Sequence, residues 1–251
     1  MTIFCFTSTG NSLYVAKKIA EKTGGNISPM NIESTACNDD VIGFVYPVYF
    51  WEPPRIVNRF ISNLQITNKD AYLFAVGTYG GAAPGVNGRI DKLLKKKGLK
   101  LNYGSYVKLV DNYIPMYKPK DSEKLQLRAK ERIKAIAEAV ALKENNKIAP
   151  DTFLNALSFK GMPGEDSDKY FTVADTCNGC GTCQKICPVR NIAMKGERPV
   201  FLHKCEHCLG CLQNCPALAL NWKEKTKGKE RFRKGGITLN ELISFNQGQL
   251  L

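Results

Sequence analysis

The sequence predicts an α/β protein in two unequal parts: a doubly wound, five-stranded parallel sheet, then a small α+β domain built around cysteine. Three observations carry this. Short apolar runs alternate with longer helix-like stretches through residues 1–146. Three of those runs are nearly all apolar, as strands buried on both faces of a parallel sheet must be. Eight of the ten cysteines crowd into residues 177–215.

In chain order, the strands are expected at 2–6, 26–29, 41–46, 71–77 and 104–110. Helices are expected at 12–23, closed by Gly24 and Gly25, then at 54–63, 86–97 and 121–144. The last follows Pro119 and sets Leu125, Ala129, Ile133, Ile136 and Val140 along one face. Strand and helix alternating in this way make a doubly wound sheet with its own core. Residues 147–170 mix Pro150, Phe153, Leu154, Leu157 and Phe159 with Gly161, Pro163 and Gly164, followed by three acids, which reads as a packed linker whose aromatics need cover. The cysteine domain spans 171–221, and 222–251 reads as a basic C-terminal tail.

Composition narrows the class. Hydrophobic residues at 43% and charged residues at 24% exclude a disordered or collagen-like chain. No apolar run approaches the ~18–20 residues of a membrane span. The opening Met1–Phe6 lacks a basic region and a small-residue cleavage site, so the expected location is cytoplasmic. In such a reducing compartment, crowded cysteines point to metal or cluster ligation and not to disulfides. Cys5 falls in a buried strand pattern and Cys37 in a polar loop, and neither has a visible role.

The cysteine region is an internal repeat. Cys177, Cys180, Cys183, Cys187 and Pro188 recur, 28 residues on, as Cys205, Cys208, Cys211, Cys215 and Pro216. Each run reads C-x2-C-x2-C-x3-C-P, the pattern in which three thiolates of one run and the fourth of the other hold a cubane [4Fe–4S] cluster. The expected sets are Cys177, Cys180, Cys183 with Cys215, and Cys205, Cys208, Cys211 with Cys187. Two zinc sites are the alternative, although zinc ligands usually come as two separated pairs. The region resembles the two-cluster bacterial ferredoxin domain. His203 and His207 flank the second run without replacing a ligand, and His207 reads as a solvated or cluster-shielding side chain.

Thr7-Ser8-Thr9-Gly10-Asn11-Ser12 joins the first strand to the first helix. An anion there would meet free backbone N–H groups, the positive end of the helix dipole and four hydroxyls. Neither G-x-x-x-x-G-K-[ST] nor G-x-G-x-x-G occurs in the chain. A hydroxyl-rich helix cap is the plainer alternative. The string resembles the FMN phosphate loop of flavodoxins, T-x-T-G-N-T, with Ser12 for the last Thr. In such open sheets ligands bind at the carboxyl ends of the strands. There lie Pro47-Val48-Tyr49-Phe50-Trp51 and Thr78-Tyr79-Gly80-Gly81, where the resemblance implies the flavin ring, with Asn112 and Tyr113 beside it. Aromatics at these places offer flat apolar faces, or else pack in the core or against the cysteine domain.

A flavodoxin-like half followed by a two-cluster ferredoxin half resembles the EFR1 family of ferredoxin–flavodoxin fusion proteins. That resemblance implies electron transfer between two [4Fe–4S] clusters and an FMN. Clusters handle one electron at a time and flavin one or two, so one chain could collect single electrons and deliver pairs. One alternative is a flavin-dependent reductase of a quinone or metabolite, for which the ring loops offer only Tyr49, Glu52 and Tyr79 as acid–base groups. Another is a redox sensor, yet no nucleic-acid recognition motif is present and a basic run is usually a solvated surface. The net charge is +13, and residues 222–234 hold seven Lys or Arg against Glu224 and Glu230. Redox partners are therefore expected to be acidic proteins of ferredoxin or flavodoxin type, steered by that charge.

Overall fold

The computed structural model describes residues 1–30 and 36–248. Strand β1 (Thr2–Cys5) leads into helix α1 (Asn11–Thr23), which ends at Gly24 in the left-handed region, where a side chain is disfavoured. Then come β2 (Asn26–Pro29), the two-residue β3 (Ala36–Cys37), β4 (Val41–Pro47), α2 (Arg55–Asn63) and a second short strand, β5 (Gln65–Ile66). The half closes with β6 (Tyr72–Tyr79), α3 (Val86–Lys95), β7 (Tyr103–Lys108) and α4 (Glu123–Ala141). Ser122 caps α4 by accepting the Leu125 N–H, with Glu123 in the first turn.

The main sheet is parallel throughout and runs β2-β1-β4-β6-β7. That is the 2-1-3-4-5 order of flavodoxin-like sheets, with its switch point between β1 and β4. Period-two alternation explains both faces. Ile3 and Cys5, Val45, and Tyr72, Phe74 and Val76 point into one core layer with α1 and α4. Phe4 and Phe6, Ile42, Phe44 and Tyr46, and Leu73 and Ala75 point into the other with α2 and α3. At the sheet centre a Cβ on Gly43 would stand 2.2 Å from the Phe74 ring, so only glycine fits. The small β3–β5 pair was not foreseen from sequence, and it buries Cys37, which the sequence places in a polar loop.

The linker is more structured than expected. Helix α5 (Phe153–Lys160) fixes it through Asn155, whose side-chain N–H groups donate to the carbonyls of Trp51 and Pro84. Its aromatics are not covered as the sequence suggested: Phe153 is 78% exposed, and Leu154 and Leu157 face outward too. Only Phe159 finds partial shelter, with the Arg55 guanidinium 5.4 Å from its ring.

The cysteine domain is pseudo-symmetric in its backbone as well as in its sequence. Strand β8 (Phe171–Val173) precedes the one-turn helix α6 (Thr182–Ile186), followed by the hairpin β9 (Ile192–Lys195) and β10 (Arg198–Phe201). Helix α7 (Gly210–Gln213) is the counterpart of α6, and β11 (Leu220–Trp222) pairs with β8. Left-handed residues recur at the 28-residue spacing: Gly179 with His207, Gly181 with Leu209, Arg190 with Leu218. The first run meets two of these turns with glycine. The second uses side chains there, a choice that costs ~1–2 kcal/mol per residue unless those side chains do something.

The expected basic tail is not a tail. Trp222 belongs to β11, Lys229 donates to the Ile114 carbonyl, and Arg231 donates to Leu220 O and Asn221 Oδ1. The chain then returns to the sheet domain, where α8 (Leu239–Asn246) buries Leu242 and Phe245 in the layer holding α1 and α4. Lys17 anchors it further through Glu241 at 2.5 Å. The last three residues of the expected tail lie outside the described residues. Lys223, Lys225, Lys227 and Arg233 do remain exposed. Truncating a fully buried Phe typically costs about 3–5 kcal/mol. Phe245→Ala is therefore expected to lower the urea midpoint of the whole protein markedly, whereas a loose tail would leave it unchanged.

Candidate functional site

Gly10 takes φ 95° and turns the chain from β1 into α1. Its N–H donates to Thr7 Oγ1 at 3.1 Å, and Ile237 of the returning C-terminal segment packs beneath it at 3.1 Å from a would-be Cβ. Gly10, the N-cap of α1, has no side chain to accept a helix N–H, and the Thr7 hydroxyl holds it from outside the helix. The other hydroxyls turn elsewhere. Ser8 meets the Tyr49 hydroxyl at 3.3 Å, Ser12 meets Thr78 at 2.9 Å, and Thr9 Oγ1 accepts from Asn112 Nδ2 at 2.5 Å. The first intrahelical bond is Tyr14 N–H to Gly10 O, which leaves the N–H groups of Asn11, Ser12 and Leu13 without a partner inside the helix.

These residues open onto a cavity of about 330 Å³, the size of a small-ligand site. Thr7, Ser8, Thr9, Asn11 and Ser12 form one wall. Pro47, Val48, Tyr49, Phe50 and Trp51 form a second, and Thr78, Tyr79, Gly80, Gly81 and Asn112 a third. Of the residues singled out from sequence for a flavin, only Gly10 is absent from the lining, because it shapes the turn from behind. Phe50 and Trp51 sit in the left-handed region, at φ 48° and 60°, so their loop is held by its surroundings. Asn11 Oδ1 is buried without a partner, an acceptor that a hydroxyl-bearing ligand would satisfy.

Several lining residues were not singled out from sequence for this cavity. Met116, Tyr117, Ser158 and Met162 come from the loop after β7 and from the linker, which carry no ligand-like spacing. His207, Cys208 and Leu209 come from the second cysteine run. This explains the left-handed side chains there: Leu209 packs in the cysteine-domain core, and His207 Nε2 meets the Tyr113 hydroxyl at 3.1 Å. Burial holds His207 down at about 4, hence neutral, and Ser167 meets its other ring nitrogen at 3.3 Å. His207 is thus buried between the halves and not solvated. Glu52 lies outside the lining. Asp111 is the acid in the cavity wall, its carboxyl raised by burial while Oδ1 accepts the Tyr113 N–H.

The thiols fall into two neighbourhoods. Burial pushes Cys208 and Cys211 well above the ordinary thiol range, and the Cys187 and Cys205 thiols add to both. Burial also takes Cys205 up to about 12, with Cys187 again beside it. In the other neighbourhood burial takes Cys183 up to about 11, with Cys215 nearby. Cys180 is exposed, and the Thr182 hydroxyl lowers its thiol. Backbone N–H groups reach sulfur at Asn191 to Cys187 and His207 to Cys205, both at 3.3 Å, contacts that stabilise thiolate. Among the described residues no three His, Cys, Asp or Glu side chains converge on a single ion. Thiolates around a cubane stand farther apart than those around one ion.

Residues 169–216 match the 4Fe-4S dicluster domain family. No curated protein matches the chain. Among solved structures, two-electron reduced Megasphaera elsdenii flavodoxin aligns at 16% identity over 57% of this chain and 99% of its own, with a TM-score of 0.40. The flavodoxin of Streptococcus pneumonia TIGR4 aligns at 14% over 57% and 97%, TM-score 0.39. Rubredoxin oxygen:oxidoreductase from Desulfovibrio gigas aligns at 14% over 57% of this chain, TM-score 0.38, and the match spans about a third of that protein, 36%. At these scores the likenesses add nothing to the strand order itself. The chain joins an iron–sulfur domain of the 4Fe-4S dicluster type to a flavodoxin-like sheet, and no helix among the described residues is long and apolar enough to cross a membrane.

Asp111 yields a pH prediction. Its folded pKa lies above its unfolded value, so the fold binds the proton more tightly and stability falls as pH rises above the ordinary carboxyl value of about 4. Asp111→Asn keeps the acceptor for Tyr113 and removes that penalty. Urea unfolding should find the variant more stable than wild type at pH 7, with the gap closing towards pH 3. A constant gap would locate the effect elsewhere.

Proposed function

We propose that the protein transfers electrons between two [4Fe–4S] clusters and an FMN held in the cavity. One observation carries the reading: Cys208, a cluster-type cysteine, lines the same cavity as the phosphate-type loop and both aromatic loops. When bound, a cluster supplies one-electron chemistry and the flavin one- or two-electron chemistry. The chain supplies the rest. The unpartnered N–H groups at the start of α1 suit the FMN phosphate, and Tyr49, Phe50, Trp51 and Tyr79 flank the ring while excluding water. The thiol neighbourhoods support Cys187 with Cys205, Cys208 and Cys211 as one ligand set, and Cys215 with Cys180 and Cys183 in the other, to which the spacing of the first run adds Cys177. The ferredoxin–flavodoxin fusion family remains the relationship we favour, with acidic carrier proteins as partners drawn by Lys223, Lys225, Lys227 and Arg233. Lys229 and Arg231, tied to backbone carbonyls, would contribute less to that steering.

A second reading, reduction of a small molecule at the flavin, draws on Asp111 and on the extension of the cavity to Met116, Tyr117, Ser158 and Met162. Anaerobic turnover with quinones and other small acceptors separates it from simple carriage.

Protein purified without oxygen should contain about eight irons per chain and one FMN. Stoichiometric zinc with little iron would overturn the cluster reading. The spectrum of Cys187→Ala should match that of Cys208→Ala and differ from that of Cys180→Ala, and the reverse resemblance would overturn the crossed ligand sets. Thr9→Glu places a carboxylate where the phosphate is proposed, so flavin content should fall while iron holds. Unchanged FMN occupancy would move the phosphate site elsewhere.

A further inference from the structure

Between the two halves runs a chain of buried and half-buried hydrogen bonds centred on Gln213, which lies two residues after Cys211 and two before Cys215. The Gln213 side-chain N–H donates to the Asn112 carbonyl at 2.7 Å, and Gln213 Oε1 accepts the Phe232 N–H at 2.8 Å. Asn112 in turn donates to Thr9 Oγ1, and the Lys234 N–H donates to the Thr9 carbonyl at 2.8 Å. The neighbouring Asn214 reaches the Ser8 carbonyl at 3.4 Å, and a Cβ on Gly210 would stand 3.3 Å from that same oxygen. The Gln213 amide therefore ties the loop after β7 and the returning C-terminal segment to the helix between two cluster-type cysteines, and through Asn112 it reaches the phosphate-type loop.

We propose that Gln213 is a positioning residue that makes FMN retention depend on cluster assembly. This rests on the function proposed above. Helix α7 has four residues, starts from left-handed Leu209, and is far too short to hold itself. Beside the burial of Leu209 and Leu212, what would hold it is ligation at Cys208, Cys211 and Cys215. Without ligands the helix loosens, the Asn112 and Ser8 carbonyls lose their donors, and Thr9 and Asn112 are no longer held at the cavity wall. By linkage the coupling is reciprocal: bound FMN favours the helix geometry that the clusters need.

The experiment titrates FMN, by quenching of its fluorescence, into the full chain with clusters intact and again after iron is stripped by a chelator. Gln213→Met keeps the shape of the side chain and removes both hydrogen bonds, and Gln213→Glu keeps the acceptor for Phe232 while losing the donor to Asn112. Stripping wild type should weaken FMN binding about tenfold or more, the scale of leaving buried polar groups unpaired. Both variants, with iron content at the wild-type level, should already show a loss of this order and should lose little more on stripping. An equal further loss in wild type and variants would remove Gln213 from the coupling. Unchanged FMN affinity in stripped wild type would remove the coupling itself. Loss of iron from both variants would make Gln213 a mere support for the helix and overturn the assignment. Wild type with full iron that binds no FMN at all would instead overturn the underlying reading of the cavity.

Discussion

The arrangement depends on one contact: the second cysteine run lies directly against the carboxyl end of the parallel sheet. A doubly wound sheet leaves a crevice at its switch point because the connections on either side diverge there. In this protein the crevice is roofed by His207, Cys208 and Leu209. In this roof the backbone turns left-handed at His207 and Leu209, where the first run has Gly179 and Gly181. The strain is offset by what the side chains reach, the Leu209 core contact and the His207–Tyr113 hydrogen bond.

That asymmetry gives the two runs different surroundings despite their matching sequence. The first is open, with Cys180 exposed beside Thr182. The second is closed in by aromatic rings: Phe50 on Tyr113 at 5.6 Å, Tyr113 on His207 at 5.7 Å, and His207 on Trp222 at 4.9 Å. A cluster held in the second set would sit in a drier, lower-dielectric setting than one in the first, and burial is among the levers that set cluster potentials. One duplicated motif thus presents a solvent-facing and an inward-facing set of cysteines.

The C-terminal segment closes the structure by joining both halves at once. It leaves the cysteine domain at Trp222, ties Phe232 to Gln213 and Lys234 to Thr9, and ends with Phe245 in the sheet-domain core. At the interface, Arg59 reaches Glu206 at 3.2 Å and Glu165 at 3.6 Å, and Arg55 donates to the Pro163 carbonyl. Glu206 is buried while Arg59 is largely exposed, so the pair fixes orientation more than it stabilises.

The sequence by itself determined what is local and periodic. Apolar runs such as 41–46 and 71–77 mark strands because both faces of a parallel strand are buried. The cysteine spacing marks a cluster motif because the chemistry fixes it, and T-S-T-G-N-S marks the turn from the first strand into the first helix because Gly10 can take the left-handed backbone there. Only the tertiary structure decided what depends on residues far apart in the chain. Cys37 looked polar from its neighbours yet is buried by β5, and Phe153 looked like core yet faces outward. The lysine-rich segment looked like a tail, but its charges say nothing of Phe245, which joins the core layer holding α1 and α4, more than a hundred residues back in the chain. Likewise no spacing could place His207, Cys208 and Leu209 in the cavity wall, since their partners Tyr49 and Tyr113 belong to another domain. Side chains on one element obey its period, whereas contacts between domains obey shape, and shape appears only once the chain has folded.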